Sequence, residues 1–119
     1  FVPTRFYDFR PPEIRLEGLG VDAADLTGLP FDDGSIASLS CMHVVEHVGL
    51  GRYGDRLDPN GDLTAMGELQ RVLARGGSLL FVVPVGRPQL RFNGLRIYGF
   101  EQVVAGFPEL ELHEFTLIP

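Results

Sequence analysis

The 119-residue sequence predicts a single α/β domain with a mainly parallel sheet, and three observations carry that prediction. Ile36–Met42, IASLSCM, and residues 78–83, SLLFVV, are short runs of apolar and small residues, the composition of strands buried on both faces. Between them, Leu63, Met66, Leu69 and Leu73 recur at spacings of three and four, which predicts an amphipathic helix over residues 60–75. A strand, a helix and a strand in that order make a crossover, so the two strands lie parallel with the helix on one sheet face.

The remaining elements follow from local signals. Residues 2–9, VPTRFYDF, read as a short aromatic-rich strand that ends at Asp8 before the Pro11-Pro12 break. Within residues 16–26, Val21, Ala23 and Ala24 form a second short strand with Asp25 at its C-terminal edge. Leu29-Pro30-Phe31-Asp32-Asp33-Gly34 makes a turn, and a loop rich in Gly, Asp and Arg covers residues 49–61. Gly76-Gly77 stops the helix because glycine accepts positive φ, and Pro84 ends the strand after it. A second helix is expected over Phe100–Ala105, followed by Gly106 and a last strand over residues 110–118 with Leu112, Phe115 and Leu117 in partial alternation. No repeat or low-complexity linker divides the chain, so residues 1–119 read as one domain.

Composition excludes several classes of function. With 45% hydrophobic and 22% charged residues and no apolar run near the ~20 residues a spanning helix needs, no membrane partner is expected. No secretory signal is visible, and the single cysteine, Cys41, cannot form an internal disulfide. A reducing, cytoplasmic location is therefore expected. Net charge is −6, and the basic residues are ten scattered arginines with no lysine, which disfavours nucleic acid because phosphate contacts need clustered cations.

The stretch DLTGLPFDDGSIASLSCMHVVEHV, followed by GELQRVLARGGSLLFVVPVG, resembles the class I S-adenosylmethionine-dependent methyltransferases from their third strand to their fifth. The features that carry it are an Asp before a Leu-Pro-Phe turn, a buried strand leading to a Glu-His pair, and an R-V-L-x-x-G-G helix end running into a strand closed by V-P. EHVGLGRYGDRLDPNGDL and FNGLRIYGFEQV resemble a poorly characterised, methyltransferase-related branch of unknown function. The resemblance implies a partial Rossmann-like fold with S-adenosylmethionine as cofactor. It implies that Asp8 accepts hydrogen bonds from the ribose hydroxyls and Asp25 from the adenine amino group, with Leu26 beside the ring. Met42 and His43 would line the methionine side, at the carboxyl ends of strands where open α/β sheets bind ligands. The acceptor is expected to be a small molecule or glycan.

One family feature has no counterpart. No strand and G-x-G-x-G-like loop precede Asp8, and Gly18-Leu19-Gly20, which follows it, reads as an ordinary turn. The domain is thus expected to lack the first strand and glycine-rich loop. Because that strand is central in the family, the gap must close or be filled from another copy, which points to a homodimer or strand exchange. The rival expectation is a non-catalytic Rossmann-like module for assembly or partner binding.

His43, Glu46 and His47 are the candidate catalytic groups. Histidine titrates near neutrality, so either imidazole suits a general base for methyl transfer to oxygen or nitrogen. His43-Val44-Val45-Glu46-His47 also spells the inverted zincin motif, but the following Gly49 and Gly51 leave little room for the long helix that motif needs, and no metal is expected. The Gly51–Arg56 stretch, GRYGDR, suits acceptor recognition, or else a solvated loop whose arginines pair with Asp55 and Asp58. Arg87, Arg91, Asn93 and Arg96 follow the second long strand as a candidate rim for an anionic substrate. Cys41, inside an apolar strand, reads as a core residue.

Overall fold

A computed structural model describes residues 3–13, 17–18 and 20–119. The expected strand over 16–26 lies in part outside these residues. Among these residues, six strands, two α-helices and one 3-10 turn form a mixed α/β unit. They are β1 (Phe6–Asp8), β2 (Val21–Ala23), β3 (Ile36–Met42), the 3-10 turn Val45–His47, α1 (Gly61–Val72), β4 (Leu73–Val82), β5 (Gln89–Leu90), β6 (Arg96–Ile97) and α2 (Phe100–Ala105). β1 pairs with β2 and β3 with β4, both parallel, while β5 and β6 form an antiparallel ribbon. Among the described residues these are three separate two-stranded sheets.

α1 packs on the β3–β4 pair through Ala65, Met66, Leu69 and Val72, all fully buried at spacings of three and four. Leu63, expected on this stripe, is exposed because it lies on the opposite side of the turn from Ala65 and Leu69. Cys41, Val45, Tyr98 and Phe107 complete the core, and Phe81 meets Phe107 edge-on with ring centroids 4.9 Å apart. Burial pushes the Cys41 thiol up to about 12, and the neighbouring Glu46 carboxylate adds to the effect.

Two expectations are corrected. The helix ends at Val72, three residues before the anticipated stop, and Leu73 is already extended. Gly76-Gly77 instead lies inside β4, at a break in register between Ile36↔Leu73 and Ser38↔Ser78. Gly76 has φ of 74°, and a Cβ on Gly77 would stand 2.8 Å from both Ala37 O and Ala74 O, so glycine is needed at both positions for the bulge. No strand forms over residues 110–118. The segment has partial alternation but no neighbouring strand to pair with, and Leu112, Phe115, Leu117 and Ile118 are exposed.

A charged clamp joins the turn after β2 to α1. Arg71 Nη1 donates to Phe31 O (2.8 Å) and Asp33 Oδ1 (2.7 Å), and Nη2 donates to Leu29 O (3.0 Å). Glu68 accepts from Arg71 Nε at 2.7 Å and from Leu29 N at 2.7 Å. The Arg71 guanidinium holds the Glu68 carboxyl below its ordinary range, and both carboxylates raise the Arg71 value. The clamp carries β1 and β2 along with it, since Tyr7 meets Phe31 edge-on at 5.2 Å.

Candidate functional site

β3 delivers the first group. Its last residue, Met42, is exposed, and His43 follows with its N–H bonded to Val82 O at 2.8 Å. His43 has φ of 54°, a left-handed conformation that is uncommon outside glycine and strained for a bulky residue. That turn takes the chain off the sheet and into the Val45–His47 turn, where Val45 and Glu46 are buried.

Glu46 is the centre of the constellation, at 1% exposure. Its Oε1 lies 3.1 Å from His43 Nδ1 and 3.9 Å from His47 Nε2. His47 Nδ1 is 2.8 Å from Gly94 O, and a carbonyl only accepts, so Nδ1 carries the proton there. Likewise the short contact to Glu46 makes His43 Nδ1 the donor, which leaves the His43 Nε2 lone pair on an imidazole that is 61% exposed. Glu46 thus acts through the rings it orients, while His43 alone presents a solvent-facing base. Glu46 Oε2 is buried without a partner among the described residues. The zincin geometry is not formed, because His43 lies outside a 3-10 turn of only three residues.

Two loops wall this constellation. The loop after His47 closes on itself through Asp58 N to Gly49 O (2.9 Å) and Gly49 N to Asp55 Oδ2 (2.7 Å). Gly49 must be glycine, with φ of 79° and a hypothetical Cβ 2.1 Å from Asp58 O. Arg96 staples the loop from beneath. At 4% exposure it donates to Val48 O and Pro59 O and pairs with Asp62 Oδ2 at 3.4 Å, which in turn accepts from Tyr98 OH at 2.9 Å. Burial, with the Asp62 charge beside it, raises the Tyr98 value well above normal. Arg96 is therefore not part of an anionic rim, as its place in the sequence suggested. The second wall is the turn at 91–95, where Asn93 takes φ of 55° and Gly94 supplies the carbonyl for His47. Arg52 Nη1 reaches Asn93 O at 3.4 Å, and Tyr53 stands edge-on to His47 at 5.5 Å. No ion pair joins Arg52 or Arg56 to Asp55 or Asp58 among the described residues, contrary to the solvated-loop expectation.

Of the residues expected to bind the cofactor, Met42 ends β3, whereas Asp8, Asp25 and Leu26 lie on or just after the other strand pair. Asp8 ends β1 in register with Ala23, and Asp25 follows β2 by two residues, so the two carboxylates come from adjacent parallel strand ends. Asp8 Oδ1 accepts from Arg10 N at 3.0 Å. Asp25 Oδ1 accepts from Thr27 N and Thr27 Oγ1 at 2.8 and 2.6 Å. Leu26 leans partly into the core. Arg10, just after β1, reaches the loop after His47: its Nη2 is 2.6 Å from where a Gly54 Cβ would be. Among the described residues, a Cβ on Gly18 or Gly20 would touch nothing within 4 Å, so this pair cradles no group described.

An open groove of about 540 Å³ runs elsewhere, between α1, β6 and α2, past Leu63, Met66, Leu90 and Ile97. None of Asp8, Asp25, Met42, His43 or Glu46 lines it, and of its polar lining Asp62 is bonded to Tyr98 and paired with Arg96. The chemistry-bearing side chains are at the strand ends, not in this groove.

Sequence reasoning missed Gly94, Arg10 and the role of Arg96. The Asn93-Gly94 dipeptide was the available signal, since it marks a tight turn. Nothing local in the sequence marks Arg10 or Arg96, whose partners are distant.

Residues 33–113 match the model of a family described as "Caenorhabditis protein of unknown function, DUF268". The matched region is more than half of the chain, contains His43, Glu46 and His47, and leaves Asp8 and Asp25 outside it. No curated protein matches the chain. No helix among the described residues is long and apolar enough to cross a membrane.

Proposed function

The chain belongs to the DUF268 family, and from the residues at its strand ends we propose that it is a methyltransferase-like domain of class I type, using S-adenosylmethionine to methylate a small-molecule or glycan-type acceptor. One observation carries the reading. Carboxylates stand at or just after the ends of β1 and β2, a His-Glu-His constellation follows β3, and Arg10, after β1, lies against Gly54 in the loop that follows that constellation. In open α/β sheets that is where ligands bind. Two parallel pairs that remain separate are also what a partial Rossmann-like sheet without its central strand would leave.

The residues present fit the cofactor in part. Asp8 and Asp25 each engage the chain through Oδ1, an arrangement suited to ribose hydroxyls and an adenine amino group, and exposed Met42 offers an apolar contact for the methionine side. When bound, the cofactor supplies an electrophilic methyl group on a sulfonium. The chain's own task is to align an acceptor oxygen or nitrogen and remove its proton. His43 Nε2 takes that proton, and Glu46 steadies the resulting imidazolium across Nδ1. His47, bonded to Gly94 O, holds the second loop in place.

Calorimetric titration of S-adenosylmethionine and S-adenosylhomocysteine tests the reading. Saturable binding that disappears in Asp8→Ala and Asp25→Ala is expected; no binding at millimolar ligand would sink it. A second reading, a non-catalytic module that assembles with another copy, is favoured by one observation: β3 pairs only with β4 among the described residues, so its other edge is open. Light scattering that gives a dimer, with no cofactor binding, would favour this alternative.

A further inference from the structure

Of the arginines near the candidate site, Arg96 is buried and paired, but Arg10 and Arg52 are exposed and form no ion pair among the described residues. They arrive from different segments. Arg10 follows β1 and lies against Gly54, so closely that a Cβ there would be 3.4 Å from its Cζ. Arg52, two residues before Gly54, is steered by its bond to Asn93 O toward the turn that holds His47. The acids closest to them in sequence bond backbone N–H groups, not the guanidiniums. Asp8 Oδ1 accepts from a backbone N–H, and Asp55 Oδ2 does the same, with Asp55 Oδ1 buried. Between Arg52 and Gly54 in sequence comes Tyr53, half exposed and edge-on to His47.

In a chain of net charge −6, two guanidiniums bordering one loop with no ion-pair partner among the described residues run against the general charge balance. A guanidinium presents a planar fork of donors that matches a carboxylate or phosphate, and an aromatic beside it offers an apolar surface for the rest of the molecule. We propose that the Gly51–Arg56 stretch is the acceptor-recognition element of this site and that it binds the anionic group of a sugar-sized acceptor, a carboxylate or a phosphate, through Arg10 and Arg52, with Tyr53 against the ring. This rests on the methyltransferase-like reading only in naming the ligand an acceptor. Arg96 and the Gly49–Asp58 closure hold the loop that carries Arg52, which limits the reorganisation that guanidinium needs when the anion arrives.

The test is an NMR titration of the ¹⁵N-labelled chain, without cofactor, using glucuronate, glucose 6-phosphate and glucose as probes. Saturable shifts at the Tyr53 and Gly54 amides are expected with at least one charged sugar and not with glucose, and whichever of the two binds more tightly identifies the anion. Arg10→Gln combined with Arg52→Gln should weaken binding about tenfold or more, as loss of charge-assisted hydrogen bonds implies. Arg75→Gln, an exposed arginine in β4, should leave it unchanged. Absence of saturable shifts with both anions, equal shifts with glucose, or equal affinity in the double variant would overturn the proposal. Because no cofactor is present, a negative result here with cofactor binding intact removes the acceptor class alone. Failure of cofactor binding leaves the anion site standing.

Discussion

Arg96 and Cys41 are the residues whose environments have the plainest consequences. Removing one member of a buried ion pair leaves the other charge uncompensated, which costs about 3–5 kcal/mol. Arg96→Met should therefore destabilise the fold by about that amount in urea denaturation, and Arg96→Met with Asp62→Leu should recover part of it, because the second change removes the stranded carboxylate. A loss under about 1 kcal/mol would show the pair to be solvated after all. For Cys41 the sign follows from its raised value. A thiol whose folded value lies above 9.0 favours the fold fully below that pH and loses the contribution as pH rises toward about 12. At mildly alkaline pH an aromatic disulfide reagent should leave Cys41 unlabelled until urea unfolds the chain; prompt labelling of the folded protein would contradict its burial.

At the scale of elements, the turn after β2 depends on Glu68 as much as on its own Pro and Gly. Arg71 holds the Glu68 value below 4.5, so the clamp's contribution is present above that pH and is lost as pH falls through the folded value. Urea midpoints of Glu68→Gln should lie below those of the natural chain at neutral pH and converge with them in acid; parallel curves would mean that the clamp adds nothing pH-dependent. Gly49→Ala should cost about 2 kcal/mol or more, since it combines left-handed strain with a clash on Asp58 O, and the Tyr53 ring contact with His47 should be lost in NMR spectra. What was legible in the sequence divides along the same line. Ile36–Met42 and Phe100–Ala105 form where the sequence predicted them, because each is set by a local pattern of apolar residues. The helix stop was misread because Gly76-Gly77 serves a bulge against Ala37, a contact made across strands. The last strand failed for the converse reason: alternation describes a strand's faces, whereas its existence depends on a partner. In the candidate site, His43, Glu46 and His47 were legible because they fall within five residues after one strand. Gly94, which fixes His47, lies 47 residues away in sequence and was not.

At the scale of the whole molecule, the unequal packing of the two parallel pairs determines where the chain should open first. β3 and β4 share the buried face under α1, with Cys41, Met66 and Leu69 in contact. β1 and β2 have no fully buried residue, and their tie to the core passes through the turn clamped by Arg71 and through Tyr7 against Phe31. Regions with little buried apolar contact exchange amide hydrogens at low free energy, independently of global unfolding. Amides of β1 and β2 should therefore exchange faster than those of Leu39 and Cys41 in β3, and Arg71→Ala should speed the first group more than the second. Equal protection in both pairs would mean that they open as one cooperative unit. The expected difference bears directly on the proposed activity, because Asp8 and Asp25 sit on the weaker pair. A ligand that bridges them to His43 should then raise protection in β1 and β2 selectively, since it binds only the state in which the two pairs are docked.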